Sequence, residues 1–128
     1  MATLSEQAKL DVAAAYAAAS RSNDGTALAA LAAPGALTWH NFDDKEVSIE
    51  HTVRALGWVH KTVPDASWSD VSLKTTADGF VWQSILTGTA PGGPLRAYSC
   101  LIVTLNDDGQ VTRAEEYLDT AQTAVLRG

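Results

Sequence analysis

The hydrophobic pattern of this chain changes period once, near its middle, and this change limits the folds it can adopt. Before residue 62 the apolar residues recur mostly at the three- and four-residue spacing of helices. After Pro64 the chain is rich in Val, Ile, Thr and aromatic residues, which is typical of strands. Helices that precede a run of strands bury their apolar sides against one face of the sheet that those strands form.

The first half predicts three helices and one short strand. We expect helices over residues 4–19, 26–32 and 46–62, and a strand over residues 36–41. Ser5 and Asp24 are the residue types that cap helix N-termini, so they mark the starts of the first two helices. Pro34-Gly35 is expected to end the second helix, and Pro64 the third.

The second half predicts an antiparallel meander. We expect four strands, over residues 68–75, 80–89, 95–105 and 110–118. The turns between them contain Asp78-Gly79, Gly92-Gly93 and Asp108-Gly109, and the two Asp-Gly pairs are the strongest hairpin signals. Residues 120–126 are predicted to form a short closing helix.

Length and composition favour one globular domain. The chain has 128 residues, of which 46% are hydrophobic and 19% charged, enough to bury one core. We therefore expect residues 1–128 to form a single α+β domain: a strongly curved, cone-shaped antiparallel sheet covered by the three N-terminal helices. Such a bend leaves a hollow between sheet and helices that suits a small, largely apolar ligand.

Charge and cysteine content argue against several classes of partner. The net charge is −6, and the nine basic residues never form a run, so neither nucleic acid nor an anionic membrane surface is an expected partner. Cys100 is the only cysteine, which excludes an intrachain disulfide. Without a secretory signal or a long apolar stretch, the expected location is the cytoplasm. Three histidines without ligand spacing predict no metal site.

Two segments of the chain resemble the nuclear transport factor 2-like superfamily, and in particular its SnoaL-like and ketosteroid isomerase-like branch. The first segment runs from Tyr16 through Asp24 and Pro34 to Trp39-His40-Asn41, and the second is residues 109–119, with Glu116-Tyr-Leu-Asp at its end. The order and length of the elements resemble that superfamily over the whole chain. The resemblance implies the cone fold, but the superfamily hosts many reactions and some members with none.

The resemblance also implies roles for four residues. Tyr16 falls where ketosteroid isomerases have the tyrosine that donates to the substrate oxyanion. Their general-base Asp falls on His40 in an ungapped match and on Asn41 if one residue is inserted; we prefer Asn41. Glu116 falls at a pocket-facing position of the last strand, although Glu115 could face the pocket instead. Histidine side chains change charge near neutral pH, and a buried glutamate is suited to acid–base work, so we expect His40 or Glu116 to move the proton. Tyr16, helped by Asn41, is expected to hold the developing oxyanion or a water.

Departures from the family pattern limit the reactions that can be transferred. Residues 79–106 contain neither Asp nor Glu, so the second pocket acid of ketosteroid isomerases, expected near Cys100 and Leu101, is missing. The Asp-Arg-Asp set of limonene epoxide hydrolases cannot be built from these strands either. We therefore expect neither of those two activities.

The remaining predictions concern the pocket wall and the partners. Besides the four catalytic candidates, we expect these residues to contact substrate: Trp39, Leu56, His60, Trp82, Ser84, Leu101 and Leu118. The leading hypothesis is a cofactor-independent enzyme of proton-transfer type, such as an isomerase, cyclase, dehydratase or hydrolase, acting on a polyketide-, terpenoid- or steroid-like molecule. A non-catalytic ligand-binding module and a structural dimer remain as alternatives. We expect a homodimer through the outer face of the sheet, with Trp68 as a candidate interface residue.

Overall fold

The structure, a computed structural model, describes residues 4–128. The helices in this range are α1 (Glu6–Arg21), α2 (Gly25–Ala30), α3 (Ile49–Thr62) and α4 (Thr120–Thr123), the last of which continues into a 3₁₀ turn at Ala124–Arg127. The strands are β1 (Ala32–His40), β2 (Glu46–Ser48), β3 (Ser67–Thr75), β4 (Gly79–Ala90), β5 (Gly93–Leu105) and β6 (Val111–Leu118). The predicted order of helices and strands is confirmed, with β2 as an addition.

Side-chain caps determine where the first three helices begin. The Ser5 hydroxyl accepts a hydrogen bond from the Ala8 amide at 3.0 Å, and Asp24 accepts one from the Ala27 amide at 3.0 Å. Both predicted caps are therefore confirmed. The third helix starts three residues later than predicted, because Ser48 is its cap. Residues 46–48 pair with β1 instead of joining the helix.

The strands form one curved, open sheet in the order β2-β1-β6-β5-β4-β3. Strands β3 to β6 make the predicted antiparallel meander. The expectation of an antiparallel, curved sheet under three helices is confirmed, with one exception: β1 pairs with β6 in parallel. Two strands that pair in parallel need a long connection between them. Between β1 and β6 this connection runs from β2 through α3 to β5.

The first strand begins earlier than predicted. We expected Pro34-Gly35 to separate the second helix from this strand, but β1 starts at Ala32 and passes through both residues. The register with β6 shifts between Ala32 and Leu37, so the Pro-Gly pair lies in an irregular, bulged stretch. Proline cannot donate a ladder hydrogen bond, and Gly35 has a positive φ of 78°, which explains the interruption.

The main core lies between α1 and the concave face of the sheet. Tyr16, Ala13 and Ala17 of α1 pack in one cluster with Phe80 and Trp82 of β4 and with further buried residues of β5 and β6. The Tyr16 ring contacts both aromatic rings edge to face, at centroid distances of 6.2 and 6.4 Å. Towards the far end of β4 a second cluster forms around the fully buried Val63. The two clusters leave a hollow between them, under α3.

Candidate functional site

A cavity of about 170 Å³ opens between α1, α3 and the concave face of the sheet. Its wall is mostly apolar, from residues including Leu28, Leu56, Trp82, Leu101 and Leu118. Among the lining residues, all within the described part of the chain, only Tyr16, His40 and Glu116 are titratable. A cavity with few polar groups in an apolar wall is the usual form of a small-molecule site.

Tyr16 reaches the cavity from α1. The residue is buried, and its hydroxyl makes no hydrogen bond within residues 4–128. Buried tyrosine hydroxyls usually find a partner, so an unpartnered one on a cavity wall is available to a ligand. Burial, and secondarily the nearby Glu116, raise the pKa of the Tyr16 phenol, so it stays protonated and can donate.

His40 and Glu116 reach the cavity from adjacent strands. The parallel pairing of β1 with β6 places the two residues directly beside each other. In the same ladder Thr38 lies beside Ala114, which puts Thr38 and His40 on the concave face. Thus the parallel β1–β6 pairing, which connects strands far apart in sequence, brings the two proton-carrying side chains together.

Glu116, and not Glu115, is the glutamate on the cavity wall. The neighbouring Glu115 points to the other face, where its carboxylate lies 3.5 Å from the Arg113 guanidinium. The Glu116 carboxylate has no hydrogen-bond partner among the described residues. Burial raises the pKa of Glu116, and the neighbouring His40 opposes this shift. The protonated, donating form of Glu116 is therefore favoured relative to an exposed glutamate.

The His40 ring is enclosed on two sides by the loop that follows β1. Phe42 stacks on it with a centroid distance of 4.8 Å and an interplanar angle of 12°. The Nδ1 atom is inaccessible to solvent and lies 3.4 Å from Oδ1 of Asp43, without a hydrogen bond to any described residue. The accessible nitrogen of the imidazole is therefore Nε2.

The structure contradicts our preference for Asn41 at the cavity, and with it the placement of Trp39. The Asn41 side chain pairs with the backbone of Leu118: its Oδ1 accepts from the amide at 2.8 Å and its Nδ2 donates to the carbonyl at 3.2 Å. Trp39 lies on the convex face, where it donates to Asp44 and packs against Tyr117. The register with β6 places His40 beside Glu116, and His40 rather than Asn41 lines the cavity, as the ungapped match implies.

His60 and Trp68 also differ from expectation. His60 does not line the cavity; its Nε2 lies 2.9 Å from the Ser20 carbonyl oxygen and its ring packs on Trp68. Trp68, which we expected on a dimer surface, lies on the cavity wall instead. The reason is that β3 is the edge strand beneath α1 and α3, so this indole is covered by helices.

Most of the site residues that we predicted from the sequence line the cavity. Those placed on the cavity wall are Tyr16, His40, Leu56, Trp82, Ser84, Leu101, Glu116 and Leu118, and those placed elsewhere are Trp39, Asn41 and His60. Sequence reasoning missed several further lining residues: Ser20, Leu28, Thr38, Thr52, Val59, Trp68, Ser99, Thr123 and Leu126. Alternation with His40 could have identified Thr38; the others depend on tertiary packing.

Membrane-spanning helices and metal-binding clusters are both absent from residues 4–128. None of the helices there has the length and apolar composition that crossing a bilayer requires. No group of three or more His, Cys, Asp or Glu side chains in that range is arranged to hold a metal ion.

Comparison with solved structures places this geometry among known folds. The chain superposes on PrhC from Penicillium brasilianum with a TM-score of 0.83 at 15% identity, covering 94% of this chain and 86% of that one. A candidate SnoaL-like polyketide cyclase from a Jannaschia species gives 0.79 at 17% identity, covering 100% and 98%. A Catenulispora acidiphila protein with a ketosteroid isomerase-like fold, in complex with trimethylamine, gives 0.74 at 13% identity, covering 87% of each chain.

The chain has the SnoaL-like fold. The expected resemblance in fold is thereby confirmed over nearly the whole chain. No protein-family model matches the sequence, and a search of curated proteins finds no relative. At this level of identity the comparison shows the fold and not the reaction. The chemistry has to be inferred from the side chains in the cavity.

Proposed function

We propose that this protein is a cofactor-independent enzyme that moves a proton within a small, largely apolar molecule carrying a carbonyl group. The observation that carries the proposal is the convergence of Tyr16, His40 and Glu116 on one apolar cavity. Together they provide a proton acceptor and two hydrogen-bond donors, which is the set that proton transfer beside a carbonyl requires.

Each residue takes a role that its surroundings support. Nε2 of His40 removes a proton from the carbon next to the carbonyl, and the electron pair of that C–H bond moves towards the carbonyl oxygen. Tyr16 and protonated Glu116 donate hydrogen bonds to the enolate oxygen that forms. The imidazolium then returns the proton to another carbon of the same molecule. The reaction is an isomerisation, or the first step of a cyclisation, and it needs no co-reactant.

The size of the cavity narrows the substrate class. Its volume of about 170 Å³ is below the roughly 300–1,000 Å³ of sites for drug-sized ligands. It is close to the roughly 150 Å³ of an apolar cavity that binds benzene in another protein. We therefore propose a polyketide- or terpenoid-like substrate with one or two rings; a steroid nucleus exceeds this volume. The trimethylamine bound by the Catenulispora protein is also a small molecule.

The proposal is tested by a ligand screen followed by turnover. One- and two-ring enones, cyclic ketones and small terpenoids are screened by thermal shift, and binders are incubated in D₂O and examined for deuterium uptake at carbon. We expect Tyr16→Phe to lower kcat by roughly a hundredfold, as the loss of one oxyanion donor typically does. Tyr98→Phe is the matched control, because Tyr98 lies on the convex face of the sheet, outside the cavity.

The screen also separates the catalytic proposal from the alternative of a binding module. Suppose that compounds shift the melting temperature but take up no deuterium, and that wild type and His40→Gln behave alike. The enzyme proposal would then be wrong, and the protein would be a ligand-binding module. An equal loss of kcat in Tyr16→Phe and Tyr98→Phe would remove Tyr16 from the mechanism.

We further propose that the protein forms a homodimer through the convex face of the sheet. Val71, Tyr98 and Tyr117 are 54%, 48% and 41% exposed there, and with Gln83 and Cys100 they line a shallow depression. The depression is largely apolar, as is common for interaction surfaces. Its centre carries few charges, so two copies can meet across a twofold axis despite the net charge of −6.

A further inference from the structure

Nδ1 of His40 is a buried polar atom that faces a carboxylate without bonding to it. The atom has almost no accessible surface, and its distance of 3.4 Å to Oδ1 of Asp43 is slightly beyond a normal hydrogen bond. Among the described residues it is the only inaccessible side-chain nitrogen or oxygen without a hydrogen-bond partner. The unpartnered Tyr16 hydroxyl and Glu116 carboxylate belong to residues that line the cavity, where a ligand can reach them, but Nδ1 of His40 is inaccessible, so its lack of a partner calls for an explanation.

The loop after β1 holds the Asp43 carboxylate at this position. Oδ1 of Asp43 accepts a hydrogen bond from the Lys45 amide at 3.0 Å, which fixes the side chain relative to the backbone. The His40 amide donates to the Lys45 carbonyl at 3.2 Å, and the Asp44 amide donates to the His40 carbonyl at 3.0 Å. These bonds close residues 40–45 into a tight turn, so the carboxylate and the imidazole belong to one hydrogen-bonded loop.

The carboxylate favours one of the two imidazole tautomers. A neutral imidazole has one N–H and one lone pair, and an ionised carboxylate can only accept. A lone pair on Nδ1 would face Oδ1 of Asp43 and be repelled by it, so the N–H is favoured on Nδ1. The lone pair is then on Nε2, the accessible nitrogen on the cavity side.

We propose that Asp43 is a positioning residue that holds His40 in the Nδ1–H tautomer and so presents the basic Nε2 to the cavity. Phe42 contributes by holding the ring plane through its stacked contact. The catalytic consequence rests on the function proposed above, whereas the tautomer itself does not. Two acidic residues face His40: Asp43 from its own loop, and Glu116 from β6, which the proposed mechanism uses in its protonated form.

The apo distance of 3.4 Å is compatible with this role. Catalytic hydrogen bonds are often long in the free enzyme and shorten when the reaction begins. When Nε2 takes the substrate proton, His40 becomes an imidazolium, and its Nδ1–H then carries part of a positive charge. Asp43 is therefore placed to stabilise the ion pair that the proposed proton transfer creates.

The test is the tautomer of His40, read from long-range ¹H–¹⁵N NMR spectra of the imidazole in uniformly ¹⁵N-labelled protein. His40→Gln assigns the signals, and His51 and His60 serve as internal references. In the wild-type protein we expect Nδ1 to carry the proton, in contrast to the Nε2–H form that free imidazole side chains prefer. An Nε2–H form in the wild-type protein would overturn the proposal without any variant.

Variants of the loop show whether Asp43 is the cause. Asp43→Ala is expected to release His40 to the Nε2–H tautomer, whereas Asp43→Asn keeps the Nδ1–H form because its amide oxygen can still accept. Asp44→Asn is the matched control: it makes the same charge change one residue away, and asparagine tolerates the positive φ of 54° there. An unchanged tautomer in Asp43→Ala would show that Asp43 does not set it.

Turnover separates this proposal from the proposed function. With a substrate from the screen, Asp43→Ala should lower kcat by about tenfold or more, with Asp44→Asn unaffected. If the Nδ1–H tautomer depends on Asp43 but no substrate is turned over, the proposed enzymatic function is wrong and the positioning role of Asp43 stands. If substrate is turned over but the tautomer is unchanged in Asp43→Ala, the positioning role of Asp43 is wrong and the proposed enzymatic function stands.

Discussion

At the scale of single residues, the cavity contains a carboxylic acid that costs the fold some of its stability. Glu116 lies in a mostly apolar wall without a hydrogen-bond partner among residues 4–128. Burial raises the pKa of Glu116. Titratable side chains with raised pKa values in a cleft are frequent at functional sites, where the residues that activity requires often lower the stability of the fold.

This arrangement predicts a specific dependence of stability on pH. Because the folded pKa of Glu116 is raised, the folded chain retains its proton at pH values where the unfolded chain, with a pKa of about 4.3, has lost it. The free energy of unfolding therefore decreases as pH rises from that value through the folded pKa. We expect Glu116→Gln to raise Tm relative to wild type at pH 7.5 and to have little effect at pH 4.

The control for this prediction is the adjacent glutamate. Glu115→Gln removes the same charge on the opposite face, beside Arg113, and should not reproduce the pH-dependent gain. The measurement is a series of thermal unfolding curves between pH 4 and pH 8. A Tm difference between Glu116→Gln and wild type that stays constant over this range would mean that Glu116 is not desolvated.

The sequence predicted the role of a residue correctly when its contacts are with its neighbours in the chain. It did not do so when the contacts are with residues far away in the sequence. The capping roles of Ser5 and Asp24 depend on three neighbouring residues, and the structure has both. Alternation along β1 places Thr38 and His40 on one face and Trp39 and Asn41 on the other. It could not say which pair faces inwards, since that depends on β6, more than 70 residues away.

At the scale of elements, the junction of β1 with β6 positions the site. Asn41 follows β1 and continues the pairing beyond the last strand residue: its amide donates to the Glu116 carbonyl at 3.0 Å, and its side chain bonds both backbone groups of Leu118. It therefore fixes the end of β1 against β6, immediately after His40 and beside Glu116. Its side chain therefore contributes to the strand junction and not to the cavity wall.

Loss of the Asn41 side chain should weaken this junction. We expect Asn41→Ala to lower the free energy of unfolding by about 1–2 kcal/mol, the contribution of two hydrogen bonds of this kind. Asn41→Asp should not restore this stability, because its second carboxylate oxygen would face the Leu118 carbonyl oxygen and both can only accept. Urea unfolding curves measure both. Equal stability of wild type and Asn41→Ala would show that the two bonds do not hold the strands together.

The elements themselves were largely predictable, and the exceptions share one cause. Helices and hairpins are encoded by neighbouring residues, such as the Asp-Gly turns, and these were predicted well. Strand β2 was assigned to the third helix because its pairing with β1, through Val47 and Thr38, is a tertiary contact that no local pattern reveals. The parallel β1–β6 pairing was missed for the same reason.

At the scale of the whole molecule, the concave and convex faces of the sheet have different proposed roles. The concave face, with the helices, encloses the cavity, whereas the convex face leaves Val71, Tyr98 and Tyr117 exposed. If the convex face joins two copies, the two cavities point away from each other and each remains open to its own ligand.

The dimer makes a separate prediction. Wild-type protein should sediment as a dimer of the 13.5 kDa chain, and Val71→Asp should shift it towards the monomer, because like charges would meet near the twofold axis. Ala14→Asp, on the exposed side of α1, adds the same charge elsewhere and should leave the dimer intact. Analytical ultracentrifugation at micromolar concentration measures both. A monomeric wild-type protein, or equal behaviour of the two variants, would rule out this interface.

The pairing of the first strand with the last also determines when the site comes into existence. The ladder that joins His40 to Glu116 spans most of the chain, and contacts between such distant residues form late, after the loop between them has been closed at an entropic cost. During synthesis the first strand leaves the ribosome long before its partner is made. The concave pocket can therefore be completed only when residues 111–118 have emerged, so translation that stops short of them would yield helices and hairpins without the complete cavity.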